Sequence, residues 1–436
     1  MTIAILHVIR KTSMMMAMPG FIADEVLRRS RKLKLSRLRE RLSHGADVCQ
    51  ITQQKIVSLD NAPEDRKRLR RFPTVEAAIF LGVSESYLRQ ITKDGAEFTC
   101  GTVVGNNYRR TFSLKELHSI HDGLYEKTRD ERYRRQRSTT EKLQVVAIAN
   151  FKGGAAKTTT AVHLAQYLAL RGYHVLVVDL DSQASLTSLF GLQPDTDVEP
   201  EETLYPVFRG EAETLAGCIR RTYWPRLDLV PANLSLGQAE FEMPVRAQRE
   251  KNFAFWLVLR AAIQRSATNY DVVILDCPPS LGFMSINAIF AATGVIVPVP
   301  PSMIDFASTG QFFRMCSQVL DQVEEIDTDT KDVDFFKILV AKHNVTDQNQ
   351  KQIIHLMGAN FGDMLLQNPM AVTTALDGAG LRKRTYYEID DQVGTRQSYM
   401  RGLAYLNAVN AEIEGVILKA WGRQESSRIL ASASAA

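Results

Sequence analysis

One run of sixteen residues, Val145 to Thr160, limits this chain more than any other. It opens with Val145-Val146-Ala147-Ile148-Ala149, an apolar run that reads as a buried parallel strand. It breaks at Gly153-Gly154 and continues as Thr158 to Leu170, with apolar residues at helical spacing. A strand, a glycine loop and a helix opening on Lys-Thr have the layout of a phosphate-binding loop. Backbone N–H groups and the helix N-terminus then face the anion. The plain pattern G-x-x-x-x-G-K-[ST] does not fit, because Phe151 and Ala156 stand where its glycines belong. The pattern that fits is Lys-Gly-Gly-x-x-Lys-Thr, with an extra lysine, Lys152, ahead of the glycines. A ligand-free glycine turn has little use for two lysines around a Thr-rich helix start. If position 156 needs left-handed backbone, its alanine costs roughly 1 kcal/mol.

This deviant loop resembles that of the ParA/MinD family of partition ATPases, to which the nitrogenase iron protein is also related. The resemblance implies ATP and Mg2+ as cofactors, with Lys152, Gly153, Gly154, Ala155, Ala156, Lys157, Thr158 and Thr159 around the phosphates. It also implies that Lys152 acts as a signature lysine, reaching the nucleotide held by the other subunit of a homodimer. Two further strands support it. Val175-Leu176-Val177-Val178 delivers Asp179 and Asp181, close to the family's Asp-x-Asp-Pro-Gln but with Ser182 in place of proline. Val272-Val273-Ile274-Leu275 delivers Asp276, a Walker B aspartate. By resemblance, Asp181 and Lys152 are the catalytic residues, with Asp181 at the attacking water. Thr158, Asp179 and Asp276 form the metal shell. Residues 280–287 are a switch segment sensing the γ-phosphate. The bland alternative for each aspartate is a cap at a strand end. Alternating strands and helices predict an α/β, doubly wound, mostly parallel sheet.

Charge divides the chain. Residues 1–140 carry 27 Lys and Arg against 16 Asp and Glu, and the remainder 26 against 33. A basic front and an acidic remainder place nucleic acid at the front. Arg28 to Arg41 holds eight Lys or Arg in fourteen residues, a solvated helix face or a DNA-contacting or dimerising arm. Thr74 caps a first predicted helix, Gly82 turns, and Ser84 caps a second. Helical hairpins share that spacing. Residues 102–112 follow as a hairpin with a Gly-Asn-Asn turn, and Ser113 to Glu116 as a capping box. Together they predict a mainly helical winged helix-turn-helix domain. Its candidate DNA contacts are Ser84, Ser86, Tyr87 and Arg89 on the second helix, with Arg109 and Arg110 on the wing.

The expected organisation is a tail and basic helix at 1–43, a DNA-binding domain at 44–126, a charged linker at 127–140 and the ATPase domain at 141–436. Glu202 to Tyr205 and Leu229 to Leu234 narrow the resemblance to the RepA branch of repABC plasmid operons. Five cysteines without metal spacing suit a reducing compartment. No apolar run reaches a membrane span. The closing helix, with Ile413, Val416, Ile417 and Trp421 beside Glu412 and Glu414, suits core packing better than an anionic membrane. Lys342, Arg382, Lys383 and Arg384 are candidates for non-specific DNA contact. The implied function is a cytoplasmic, nucleoid-associated plasmid-partition ATPase, with operator and non-specific DNA and a ParB-like (RepB) partner, that also represses its own operon. The alternative is an ATP-liganded repressor in which hydrolysis is secondary.

Overall fold

The computed structural model describes residues 67–98, 100–104, 109–250, 253–325, 332–372, 384–389 and 396–423, with a few positions between 39 and 51. The chain forms two units, 1–66 with 314–330, and 67–313 with 331–436. In the first unit residues 41–45 are helical. The expected basic arm at 28–38, the hairpin turn at 105–108, and Arg382 and Lys383 lie outside the described residues.

The second unit opens with β1 (Phe72–Pro73), α1 (Thr74–Leu81), α2 (Glu85–Thr92), β2 (Thr102–Val104), β3 (Arg109–Phe112) and α3 (Leu114–Thr128). The three strands form an antiparallel sheet in the order β1-β3-β2. Gly82 makes the turn between α1 and α2 in left-handed backbone, φ 70°, which only glycine adopts without strain. Ser84 caps α2 as expected, accepting from the Tyr87 amide, and Ser113 with Glu116 forms the capping box of α3. Thr74 behaves differently. It is the first residue of α1, the N-cap is Pro73, and the Thr74 hydroxyl donates to the Arg110 carbonyl at 3.1 Å.

A larger sheet follows. Its elements are β4 (Gln144–Ile148), α4 (Lys157–Leu170), β5 (Val175–Asp179), α5 (Ser185–Leu189), α6 (Tyr205–Arg209), β6 (Arg220–Arg221) and β7 (Leu227–Val230). Then come α7 (Leu236–Arg249), α8 (Val258–Ser266), β8 (Val272–Asp276), α9 (Phe283–Ala291), β9 (Gly294–Val299) and α10 (Met303–Glu324). β10 (Phe335–Val340), α11 (Gln348–Phe361) and α12 (Arg396–Ala420) close the unit, apart from the part of α10 that belongs to the first. The strand order is β10-β9-β4-β8-β5-β7-β6, parallel throughout except that β6 runs against β7. β4, β5, β8 and β9 are buried along their whole length, which is why they read as unbroken apolar runs. β4 lies between β8 and β9, so its carboxyl end opens at the point where the winding reverses.

Helix α4 is buried from Thr160 to Leu170, and its far end is locked by charge. Glu414 on α12 accepts from Tyr173 Oη at 2.9 Å, Tyr167 Oη at 3.1 Å, Arg171 Nε at 3.2 Å and Arg135 Nη1 at 3.2 Å. Burial pushes the Glu414 carboxyl upward, but Arg171, Arg135 and the tyrosines outweigh it and hold the group below its ordinary range. Arg135 comes from the expected charged linker, so 127–140 is not a free tether. Arg135 is buried, and the Arg137 amide donates to Asp271 at 2.8 Å. The helical front is likewise seated on α4, with Arg171 donating to the Phe80 carbonyl at 2.6 Å and His118 to that of Ala169 at 2.7 Å. As expected, α12 packs on the core through Ile413 and Ile417, with Trp421 just beyond it.

Candidate functional site

The chain leaves β4 through Asn150, a buried side chain that ties the start of the loop to β9. Its Nδ2 donates to the Pro298 carbonyl at 2.8 Å and its Oδ1 accepts from the Lys152 amide at 3.1 Å. Gly153 and Gly154 are exposed, and a Cβ at Gly153 would meet nothing within 4 Å. Ala156 stands at φ 70°, ψ 25°, so the position is left-handed and its alanine is strained. That backbone turns the chain into α4, whose first residue is Lys157. The ammonium of Lys157 is buried and donates to the Lys152 carbonyl at 3.1 Å. Burial lowers its pKa, against the opposing pull of Asp276, Cys277 and Asp181.

Asp276 ends β8 directly opposite Asp179 at the end of β5. The two carboxylates are fully buried and differ sharply. Asp179 accepts from the Thr187 hydroxyl at 2.7 Å, the Thr187 amide at 2.9 Å and the Asp181 amide at 3.2 Å. Neither oxygen of Asp276 has a hydrogen-bond partner of normal geometry. Burial and then the neighbouring Asp179 push its pKa well up, with Thr158 and Lys157 opposing. Asp276 is therefore a buried acceptor facing the start of α4 with open lone pairs. Asp179, expected in the metal shell, accepts from Thr187 on α5 and from the loop amide of Asp181. Among the described residues no three His, Cys, Asp or Glu side chains gather as a metal cluster. One carboxylate and a Thr hydroxyl beside a phosphate loop is the sparse oxygen set that suits Mg2+, which keeps its remaining positions for water and phosphate.

Asp181 lies on the loop after β5, partly exposed, and its Oδ1 accepts from the Gln183 amide at 3.0 Å. Lys152 is ion-paired to Asp305 on the first turn of α10. No local signal announces that pair, whose partners are 153 positions apart. Nor does any show that Lys342, held at φ 55° after β10, places its ammonium 3.9 Å from where a Cβ on Gly154 would sit. Lys342 thus stands beside the loop, on an exposed part of the chain.

The helical front keeps Tyr87 and Arg89 on the exposed side of α2, with Arg89 paired to Glu85 one turn away. The Ser84 and Ser86 hydroxyls lie 3.1 Å apart, and Arg109 is exposed on β3. Arg110 has a different task from the expected wing contact. Its guanidinium reaches the Thr92 carbonyl, the Cys100 carbonyl at 3.2 Å and Asp94 at 3.2 Å, and so ties the hairpin to α2.

Comparison with known proteins narrows this arrangement. Residues 143–332 match the family model described as an AAA domain. The chain is 42% identical over 366 residues to a putative replication protein A of Rhizobium rhizogenes, covering 83% of this chain and 90% of that protein. It is 31% identical over 366 residues to the protein SopA of Escherichia coli K12, covering 83% and 92%. The chain belongs to the ParA/MinD-type partition ATPases. The chromosome partitioning protein ParA of Caulobacter vibrioides matches over a shorter stretch, 36% identical over 179 residues, 41% of this chain and 63% of that protein. Within the partition ATPases the chain stands close to the plasmid replication and partition proteins. Among the described residues no helix is long and apolar enough to cross a membrane.

Proposed function

We propose that this chain binds ATP with Mg2+ at residues 152–159, closes as a homodimer, binds DNA, and segregates a plasmid with a ParB-like (RepB) partner while repressing its own operon. The observation that carries this reading is Asp276, a buried carboxylate with open lone pairs facing Lys157 and Thr158. Relatives supply the partition context.

In this reading the loop amides and Lys157 bind the phosphates, and Thr158 and Asp276 hold Mg2+, which would neutralise phosphate charge. Asp181 orients the attacking water. Lys152 must leave Asp305 before it can reach the nucleotide of the other subunit. Catalysis is then positioning and electrostatics, with no covalent step on the protein. Tyr87, Arg89, Ser84 and Ser86 on α2 meet operator DNA in the major groove, with Arg109 on the wing of a winged helix-turn-helix. Nucleoid association follows from non-specific DNA binding by the ATP-bound dimer. A second reading, a repressor with ATP as its allosteric ligand, is favoured by the direct seating of the helical front on α4.

Phosphate release measured with ATP, Mg2+, DNA and the ParB-like protein tests both. Slow basal turnover that rises with partner and DNA is expected, and Lys157→Ala should abolish nucleotide binding. Tight ATP binding with no turnover in any combination favours the repressor. Retained ATP affinity in Lys157→Ala contradicts the loop assignment.

A further inference from the structure

We propose that Glu240 is a positioning residue for hydrolysis, and that α7 is the strut holding both phosphate-facing loops in register. The inference rests on the nucleotide-site reading above. Glu240 makes no ion pair among the described side chains. Its Oε2 accepts from the Phe283 amide at 2.8 Å and its Oε1 from the Met284 amide at 3.0 Å. Those amides belong to the first turn of α9, the helix that begins where the loop from Asp276 ends. A carboxylate there satisfies two orphan donors and complements the helix dipole. The seat is tight, because a Cβ on Gly282 would lie 2.6 Å from Glu240 Oε2.

Three residues earlier, on the same face of α7, Gly237 meets the other loop. A Cβ on Gly237 would lie 3.3 Å from the Ser182 hydroxyl, next to Asp181. One helix face therefore touches the residue after Asp181 and the helix start after the Asp276 loop. The strands that end in these loops are paired, Asp179 opposite Asp276. A water-orienting carboxylate works only when held within a few tenths of an ångström, so the strut sets turnover rather than affinity. Glu240 is on α7, away from the phosphate loop, so nucleotide binding should survive its loss.

The test uses the full chain with Mg-ATP, DNA and the ParB-like protein, in Glu240→Gln, Gly282→Ala and Glu242→Gln. Glu242 is the control. It lies on the same helix but engages the Tyr205 hydroxyl at 2.9 Å instead. For Glu240→Gln the expectation is a kcat lowered by about 10-fold or more with KM for ATP within about 3-fold, and faster amide exchange at Phe283 and Met284. Gly282→Ala displaces the carboxylate from the other side and should give the same split. Glu242→Gln should change neither quantity. Wild-type kcat in Glu240→Gln, or a KM that rises in step with the fall in kcat, overturns the proposal. If the wild-type chain hydrolyses no ATP, the ATPase reading fails by itself. The exchange rates then decide whether Glu240 holds α9, and unchanged rates overturn that as well.

Discussion

Two buried carboxylates stand at opposite ends of helix α4, and they are treated in opposite ways. Glu414, at the far end, is surrounded by two guanidiniums and two phenols and is held below its ordinary pKa range. Asp276, at the phosphate-loop end, has no hydrogen-bond partner of normal geometry and is pushed well above that range. A buried charge is tolerated when it is paired and costly when it is not. The difference separates an end built to hold the fold from an end built to receive something.

Loss of Glu414 should have the largest consequence. Replacing it with alanine strands Arg171 and Arg135 without their carboxylate, and should cost about 3–5 kcal/mol of stability, read as a lowered thermal midpoint. ATP affinity in the fraction that remains folded should hardly change. A midpoint near wild type would show that the network contributes specificity and not stability.

Next comes Asp181→Ala. A carboxylate on the loop after β5 adds negative charge near a triphosphate, so its removal should leave ATP binding intact or tighter. Partner-stimulated phosphate release should fall by about 10²-fold or more. The variant should stay on DNA and repress more strongly while plasmids are lost. Normal hydrolysis would leave Asp181 as the cap of its own turn, a role its bond to the Gln183 amide already provides.

The most gradual effect concerns pH and belongs to two buried histidines, His118 packed on the far end of α4 and His163 within it. Burial lowers His118 and His163 to about 4 from the ordinary 6.5. Between those values the unfolded chain binds more protons than the folded one, so stability rises with pH in that window. Falling from pH 6.5 towards 4, each histidine should remove at most about 1.4 kcal/mol per pH unit. Thermal midpoints of the wild type and of His118→Asn across this range check the sign. A flat profile above pH 4 would contradict it.

What could be read from the sequence follows from how local each signal is. The loop from Lys152 to Thr159 was legible because its glycines, lysines and threonines act within one strand-loop-helix unit. The sheet was legible because β4, β5, β8 and β9 are buried on both faces and so cannot alternate. Ser84, Ser113 and Glu116 announced their helices because capping is a contact over three residues. The illegible parts are long-range. Arg135 sits in a charge run with no apolar period and looks solvated, yet its carboxylate is 279 residues away. Glu414 lies near Glu412 on one helix, and nothing local says which of them is buried. Arg110 looks like a wing contact until the carbonyls of Thr92 and Cys100 are found beside it. Glu240 caps a helix 43 residues further along the chain.

The most direct test is the thermal midpoint of the wild type and of Asp276→Asn, each alone and with a non-hydrolysable ATP analogue, with and without Mg2+. Without ligand, Asp276→Asn should be as stable as the wild type or more so, because it replaces a buried carboxyl group that faces Asp179 and has no hydrogen-bond partner of normal geometry. With the analogue, Mg2+ should raise the wild-type midpoint well beyond the analogue alone, by the mass action of tighter binding, and should add little for Asp276→Asn. An Asp276→Asn protein that is less stable without ligand, yet keeps the full Mg2+-dependent rise, would contradict the account.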